Sequence, residues 1–152
     1  MIIVATQQIN QLLMVMKKYK KGVAFGTWDC LHFGHIEFFK LARGHCERLT
    51  VAVDSDEYAL NKKGKETYHN FRRRCSNIDS IKEVFVTVSQ NEKFQKEDYI
   101  KTFKPDVIFV GTDHKNNGWE GQELAEKYNI DIVYIRESVI HSSDIKNILR
   151  DR

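Results

Sequence analysis

Apolar residues along the chain fall into two alternating kinds of stretch. Short, nearly continuous β-type runs occupy residues 23–26, 49–53, 84–88, 107–110 and 132–135. Between them lie longer segments with apolar residues at helical spacing, over about 34–46, 71–82, 95–104, 119–129 and 142–150. A strand that is apolar on both faces needs cover on both faces. The alternation therefore predicts an α/β fold: a Rossmann-like, doubly wound parallel five-stranded sheet with helices on both faces, in a single domain. Ligands in such sheets bind beyond the carboxyl ends of the strands, where strand order reverses. Function is to be sought just after Gly26, Val53, Val110 and Ile135.

Ahead of the first run, Thr6 reads as a helix N-cap, and Ile9, Leu12, Leu13 and Met16 recur at i, i+3, i+4 and i+7. This spacing predicts an amphipathic helix over about 6–19, with the basic residues Lys17 to Lys21 at the end where a helix dipole favours cations. We expect residues 1–20 to form an extension that covers the domain or joins a partner subunit, and residues 21–152 to form the domain itself.

Composition narrows the class. With 41% hydrophobic and 30% charged residues, eight glycines and one proline in 152 residues, the chain is neither disordered, collagenous nor of low complexity. Its net charge of +3 by itself suggests no nucleic-acid or membrane partner. The distribution is uneven, however. Residues 61–82 carry Lys62, Lys63, Lys65, Arg72, Arg73, Arg74 and Lys82 against Glu66 and Asp79. A solvated helix face, a nucleic-acid patch and a clamp for a small polyanion all fit such a segment. Cys30, Cys46 and Cys75 are odd in number and lack a C-x-x-C pair, which suits reduced thiols and a cytoplasmic location. The N-terminal charges follow the apolar stretch, the wrong order for a secretory signal, and no apolar run approaches the roughly 20 residues of a membrane span.

The first strand runs into Gly26-Thr27-Trp28-Asp29-Cys30-Leu31-His32-Phe33-Gly34-His35, and a helical pattern follows at once. Two histidines thus flank a glycine where a helix begins. Free amides and the positive dipole end there attract phosphate, Gly34 lets a ligand approach the backbone, and imidazoles can donate to phosphoryl oxygens that gain charge. A structural role for each histidine, or a Cys30, His32 and His35 zinc set, fits the same residues.

At these residues the sequence resembles the cytidylyltransferase-like nucleotidyltransferases, whose signature is a strand followed by G-T-F-D-x-x-H-x-G-H; Trp28 alone departs, aromatic for aromatic. The resemblance extends from about Lys21 to Arg150 and is strongest to the small glycerol-3-phosphate cytidylyltransferases. Asp54-Ser55-Asp56-Glu57-Tyr58 is similar to the family's S-T-D-E-F. Asn61 to Lys65 and Tyr68 to Arg74 are similar to its lysine-bearing loop and its Y-H-S-Y-x-x-R. Gly111-Thr112-Asp113, then Trp119-Glu120-Gly121, resembles G-D-D-W-E-G split by an insertion, His114 to Gly118. Residues 136–146 stand in place of R-T-x-G-I-S-T-[ST]-x-I, with Val139 for a glycine and His141 for a serine. Lys82 replaces an arginine.

The resemblance implies attack by a substrate phosphate on the α-phosphorus of a nucleoside triphosphate, with release of pyrophosphate. It makes His32, His35, Lys63 and Arg136 the catalytic candidates. Gly26, Thr27, Trp28, Gly34, Gly111, Asp113, Ser142 and Ser143 become nucleotide-binding candidates, and Asp29, Lys62, Lys65 and Arg74 contacts to the second substrate. Mg²⁺ would arrive with the triphosphate and no residue is expected as a dedicated metal ligand. The implied partners are CTP and a small phospho-alcohol, with glycerol 3-phosphate as first choice. An adenylyltransferase using ATP on a phospho-sugar and a non-catalytic nucleotide-binding protein are the alternatives. A homodimer is expected. A nucleic-acid partner is not, because no stacking aromatics interleave with Arg72 to Arg74.

Overall fold

The computed structural model describes residues 18–115, 118–136 and 142–151, and at Ser143 the backbone only. The helix expected over 6–19 lies outside them up to Lys17, as do Val139 and His141. Five strands, β1 (Tyr19–Gly26), β2 (Cys46–Asp54), β3 (Val86–Gln90), β4 (Val107–Gly111) and β5 (Asp131–Ile135), form one sheet in the order β3-β2-β1-β4-β5. Every pairing is parallel. Helices α1 (Phe33–His45), α2 (Asp56–Lys63), α3 (Phe71–Asp79), α4 (Lys96–Phe103), α5 (Glu120–Lys127) and α6 (Ser142–Arg150) connect or follow the strands. The doubly wound fold expected from the apolar pattern is the fold observed.

Strand alternation builds two cores from one sheet. Ala24, Val51, Val53 and Phe109 face one side with Phe39, Ala42 and Ile78 of α1 and α3. Val23, Ala52, Ile108 and Val110 face the other with Tyr99, Ile100 and Ala125 of α4 and α5. Consecutive residues of one strand thus bury to opposite sides, which is why the runs read as apolar throughout.

Two elements differ from expectation. Tyr19 belongs to β1 and not to a helix end: its hydroxyl donates to Asp131 Oδ2 at 2.8 Å, and the amides of Lys20 and Lys21 donate to Asp106 Oδ2. The basic residues there are the outward positions of a strand. Residues 61–63, expected as loop, are the last turn of α2. Ser55 caps that helix by accepting from the Tyr58 amide, Asp56 and Glu57 occupy its first turn and Lys62 and Lys63 its last. Gly64 closes it at φ 63°, a left-handed conformation that favours glycine. Among the described residues no helix is long and apolar enough to cross a membrane, and Cys30, Cys46 and Cys75 are free thiols.

Winding reverses between β1 and β4, so the crevice of such a sheet lies beyond Gly26 and Gly111.

Candidate active site

At that switch point β1 ends in a sharp turn. Trp28 and Cys30 both take left-handed φ, 56° and 47°. The Trp28 indole folds back over Gly26, donating to the carbonyl of Ala52 at 3.1 Å, and a Cβ on Gly26 would stand 2.7 Å from the ring. Only glycine accepts that approach.

His32 and His35 then cap α1 reciprocally. His32 Nδ1 accepts from the Gly34 amide at 3.0 Å, and His35 Nδ1 accepts from the His32 amide at 3.3 Å. A nitrogen that accepts carries no proton, so these bonds assign the ring proton to Nε2 in both neutral imidazoles. The rings stack with centroids 3.8 Å apart. Burial, reinforced by the neighbouring His32 and opposed by Asp29, lowers the His35 pKa to about 3. A zinc triad with Cys30 does not form: both Nδ1 atoms are engaged, and no three metal-ligating side chains gather among the described residues.

Asp29 is buried and knits three segments together. Its carboxylate accepts from the amides of Cys30, Tyr68 and His69 at 3.0, 2.6 and 3.0 Å, and pairs with Lys146 Nζ of α6 at 2.9 Å. Burial opposes its charge, but the His69 and Tyr68 amides and the Lys146 ammonium outweigh it and hold the carboxyl below its usual range. The Ser142 hydroxyl, at the start of α6, donates to the Asp29 carbonyl at 2.7 Å and lies 3.4 Å from His35 Nε2.

These groups line a cavity of about 840 Å³. Of the residues expected at a site, Gly26, Thr27, Trp28, Asp29, His32, Gly34, His35, Lys63, Lys65, Gly111, Asp113, Arg136 and Ser142 all line it. The Ser143 side chain lies outside the described residues.

Two expected substrate contacts are corrected. Arg74 is completely buried, and its guanidinium donates to the carbonyls of His69 and Thr27 and to Asp56 Oδ1 at 3.0, 2.6 and 2.7 Å. Its three nitrogens are committed to the protein, so it builds the site without facing it. Lys62 is exposed and off the cavity, because α2 turns Lys63 inward and its neighbour outward. The basic segment therefore contributes two lysines to the cavity, not a whole patch.

Lining residues that the sequence did not assign to the site include the titratable Lys96, Lys146 and His114. Lys96, in the first turn of α4, is only 5% exposed. Its ammonium lies 3.8 Å from Glu120, with the rings of Phe25 and Tyr58 at 5.7 and 5.9 Å. Burial and Lys63 lower its pKa, against Glu120 and Asp54. Burial likewise lowers those of Lys65 and His114, with Lys63 acting in the same direction on both. A cavity that pushes several cations toward losing a proton is one that an anion would relieve.

The profile of the cytidylyltransferase-like family matches residues 23–148, nearly the whole described domain. The chain belongs to the cytidylyltransferase-like family. A glycerol-3-phosphate cytidylyltransferase of Staphylococcus aureus is 32% identical over 78% of this chain and 86% of its own length. An FAD synthase of Thermococcus sibiricus is 29% identical over 87% and 89%. Among solved structures, a lipopolysaccharide core biosynthesis protein of Thermoplasma volcanium superposes with a TM-score of 0.66 at 28% identity, covering 81% of this chain and 99% of that one. This cytidylyltransferase-like protein is a nucleotidyltransferase, and its cavity sits where the fold puts ligands.

Proposed function

We propose that the enzyme transfers CMP from CTP to a small phospho-alcohol, with glycerol 3-phosphate as the first candidate, and releases pyrophosphate. The observation that carries this reading is the histidine pair. Two neutral imidazoles with their protons on Nε2 border a cavity that also holds Lys63, Lys65, Lys96, Lys146 and Arg136. The 32% identical relative supports cytidylyl transfer and the acceptor.

In this reading an acceptor phosphate oxygen attacks the α-phosphorus in line. A new P–O bond forms, the α–β bridging P–O bond breaks, and the bridging electron pair leaves with pyrophosphate. A phosphate monoester is already nucleophilic, so catalysis reduces to placement and charge neutralisation. His32 and His35 donate from Nε2 to the α-phosphoryl oxygens, and Lys63 meets the charge that develops there. Arg136 and Ser142, with Ser143 beside it, serve the β- and γ-phosphates, while Gly26, Thr27, Trp28, Gly34, Gly111 and Asp113 border the nucleotide. Asp29 holds the turn and α6 together around the substrates. With Arg74 committed elsewhere and Lys62 off the cavity, Lys65 and Lys96 take the acceptor phosphate.

Mg²⁺ suits this cavity as a companion of the triphosphate. Cations outnumber carboxylates in the lining, Asp29 is fully engaged, and no three-ligand cluster exists among the described residues. A hard cation is then satisfied by phosphate oxygens and water. When bound, it neutralises charge between the phosphates.

Adenylyl transfer from ATP is the second reading, favoured by the FAD synthase relative. Pyrophosphate release measured with CTP and with ATP, against a panel of phospho-alcohols and phospho-sugars, separates the two. Turnover with CTP and glycerol 3-phosphate alone is expected. Turnover with ATP alone overturns the cytidylyl reading. The reading includes a homodimer, and a monomer-sized species in light scattering at micromolar concentration removes that part.

A further inference from the structure

We propose that Asp54 is the positioning residue for Lys63, an inference that rests on the role just given to Lys63. β2 ends on this carboxylate, which is completely buried. Its Oδ2 receives the Thr27 hydroxyl at 2.8 Å and the Lys63 ammonium at 2.5 Å. One oxygen therefore ties the turn that leads to the histidine pair to the last turn of α2. Oδ1 has no hydrogen-bond partner among the described residues, so those two donors supply what compensates the buried charge.

That imbalance gives the contact its strength. A buried carboxylate that loses its cation is left uncompensated, whereas a lysine at a cavity wall can relax into solvent on its long stem. Lys63 keeps 30% of its side chain exposed. The pair holds it from the protein side. Without Asp54, the ammonium would face Lys65 from the following loop, Lys96 from α4 and His114 beyond β4, groups on which its charge already acts. Repulsion from that ring would drive it outward. The helix adds no slack, since Gly64 closes α2 directly after Lys63.

The ion pair places one of the cavity lysines by a fixed partner instead of by substrate alone. Charge neutralisation in transfer depends on such placement, and displacement by about an ångström is enough to lower rates by about 100-fold.

The test is a double-mutant cycle on the full chain with Asp54→Asn, Lys63→Met and both together. CTP and glycerol 3-phosphate are the substrates, and kcat, both KM values and the melting temperature are measured. Asp54→Asn is expected to lower kcat by about 10- to 100-fold with each KM within about threefold, because placement and not binding is lost. In the Lys63→Met background the same change is expected to alter kcat by less than about twofold. Wild-type kcat in Asp54→Asn, or an equal fall in both backgrounds, overturns the inference. Lys63→Met at wild-type kcat overturns the role of Lys63 itself, a distinct failure visible before Asp54 is touched. If Asp54→Asn does not fold, Asp54→Ser keeps an acceptor for Thr27 and is read by the same criteria.

Discussion

Arg74 Nη1 donates to the carbonyl oxygen of Thr27 at 2.6 Å, so a buried guanidinium on α3 holds the turn that borders the cavity. The same guanidinium pairs with Asp56 at the start of α2. Arg74→Met leaves the carbonyls of Thr27 and His69 without this donor, while Asp56, 45% exposed, keeps the Phe71 amide and the Thr67 hydroxyl. Leaving a polar group without its partner costs about 1–3 kcal/mol. Urea unfolding is expected to show a loss of this size. A variant of normal stability whose acceptor KM alone is raised would return Arg74 to the substrate.

The histidine pair makes a separate prediction. Each ring accepts a helix-start amide through Nδ1, His32 from Gly34 and His35 from His32, so in the proposed function His32→Ala or His35→Ala removes a preorganised Nε2–H donor. Loss of one such donor lowers kcat by roughly 100- to 1,000-fold. Steady-state pyrophosphate release measures it. Near-wild-type turnover in either purified variant contradicts the assignment.

Neighbouring lysines of α2 are expected to behave oppositely. Lys63 lines the cavity and Lys62 is exposed outside it. Lys62→Ala should leave kcat and both KM values within about twofold, since an exposed charge away from the site contributes little. Lys63→Ala should lower kcat by about tenfold or more. Equal effects of the two would show that the basic segment acts as a diffuse field.

In the proposed function Lys96, and not Arg74, meets the acceptor phosphate. Its ammonium is buried against two aromatic rings, with the exposed Glu120 3.8 Å away. A hydrogen bond to a charged group is worth about 1.5–3 kcal/mol. Lys96→Met is therefore expected to raise the KM for glycerol 3-phosphate by about 10- to 100-fold while the KM for CTP stays within about threefold. A change in the CTP constant alone would move Lys96 to the nucleotide.

What could be read from the sequence follows from how each feature is encoded. Strands such as β4 are apolar on both faces, because Phe109 and its neighbours Ile108 and Val110 fill opposite cores, and a run of that kind reads unambiguously. The histidine pair was visible because glycine and two histidines at fixed spacing serve backbone and ligand together. Residues 61–63, placed in a loop by the resemblance, end α2, and Ser55, the acidic first turn and Gly64 are the ordinary helix signals around them. Charge identity misled at Arg74, since burial is set by partners from Thr27, His69 and Asp56 that are distant in sequence. Lys96 and Lys146 reach the cavity through the topology of the sheet and its helices, which single positions do not announce.

The depressed ionisation of His35 sets a pH window for stability. In the unfolded chain a histidine titrates near 6.5, whereas in the folded protein burial and the adjacent His32 ring bring His35 down to about 3. Between these values the unfolded state binds a proton that the folded state refuses. Stability is therefore fully present above about pH 6.5, falls as pH drops toward 3, and ceases to fall from this source below that. The slope contributed is at most one proton, about 1.4 kcal/mol per pH unit. His35→Asn keeps an acceptor for the His32 amide and removes the titration. Urea midpoints at pH 7.0, 5.5 and 4.5 should show wild type losing stability more steeply than this variant, with the two curves converging as pH falls from an initial wild-type advantage. Parallel curves would mean that His35 accepts its proton in the folded protein as readily as in the unfolded chain.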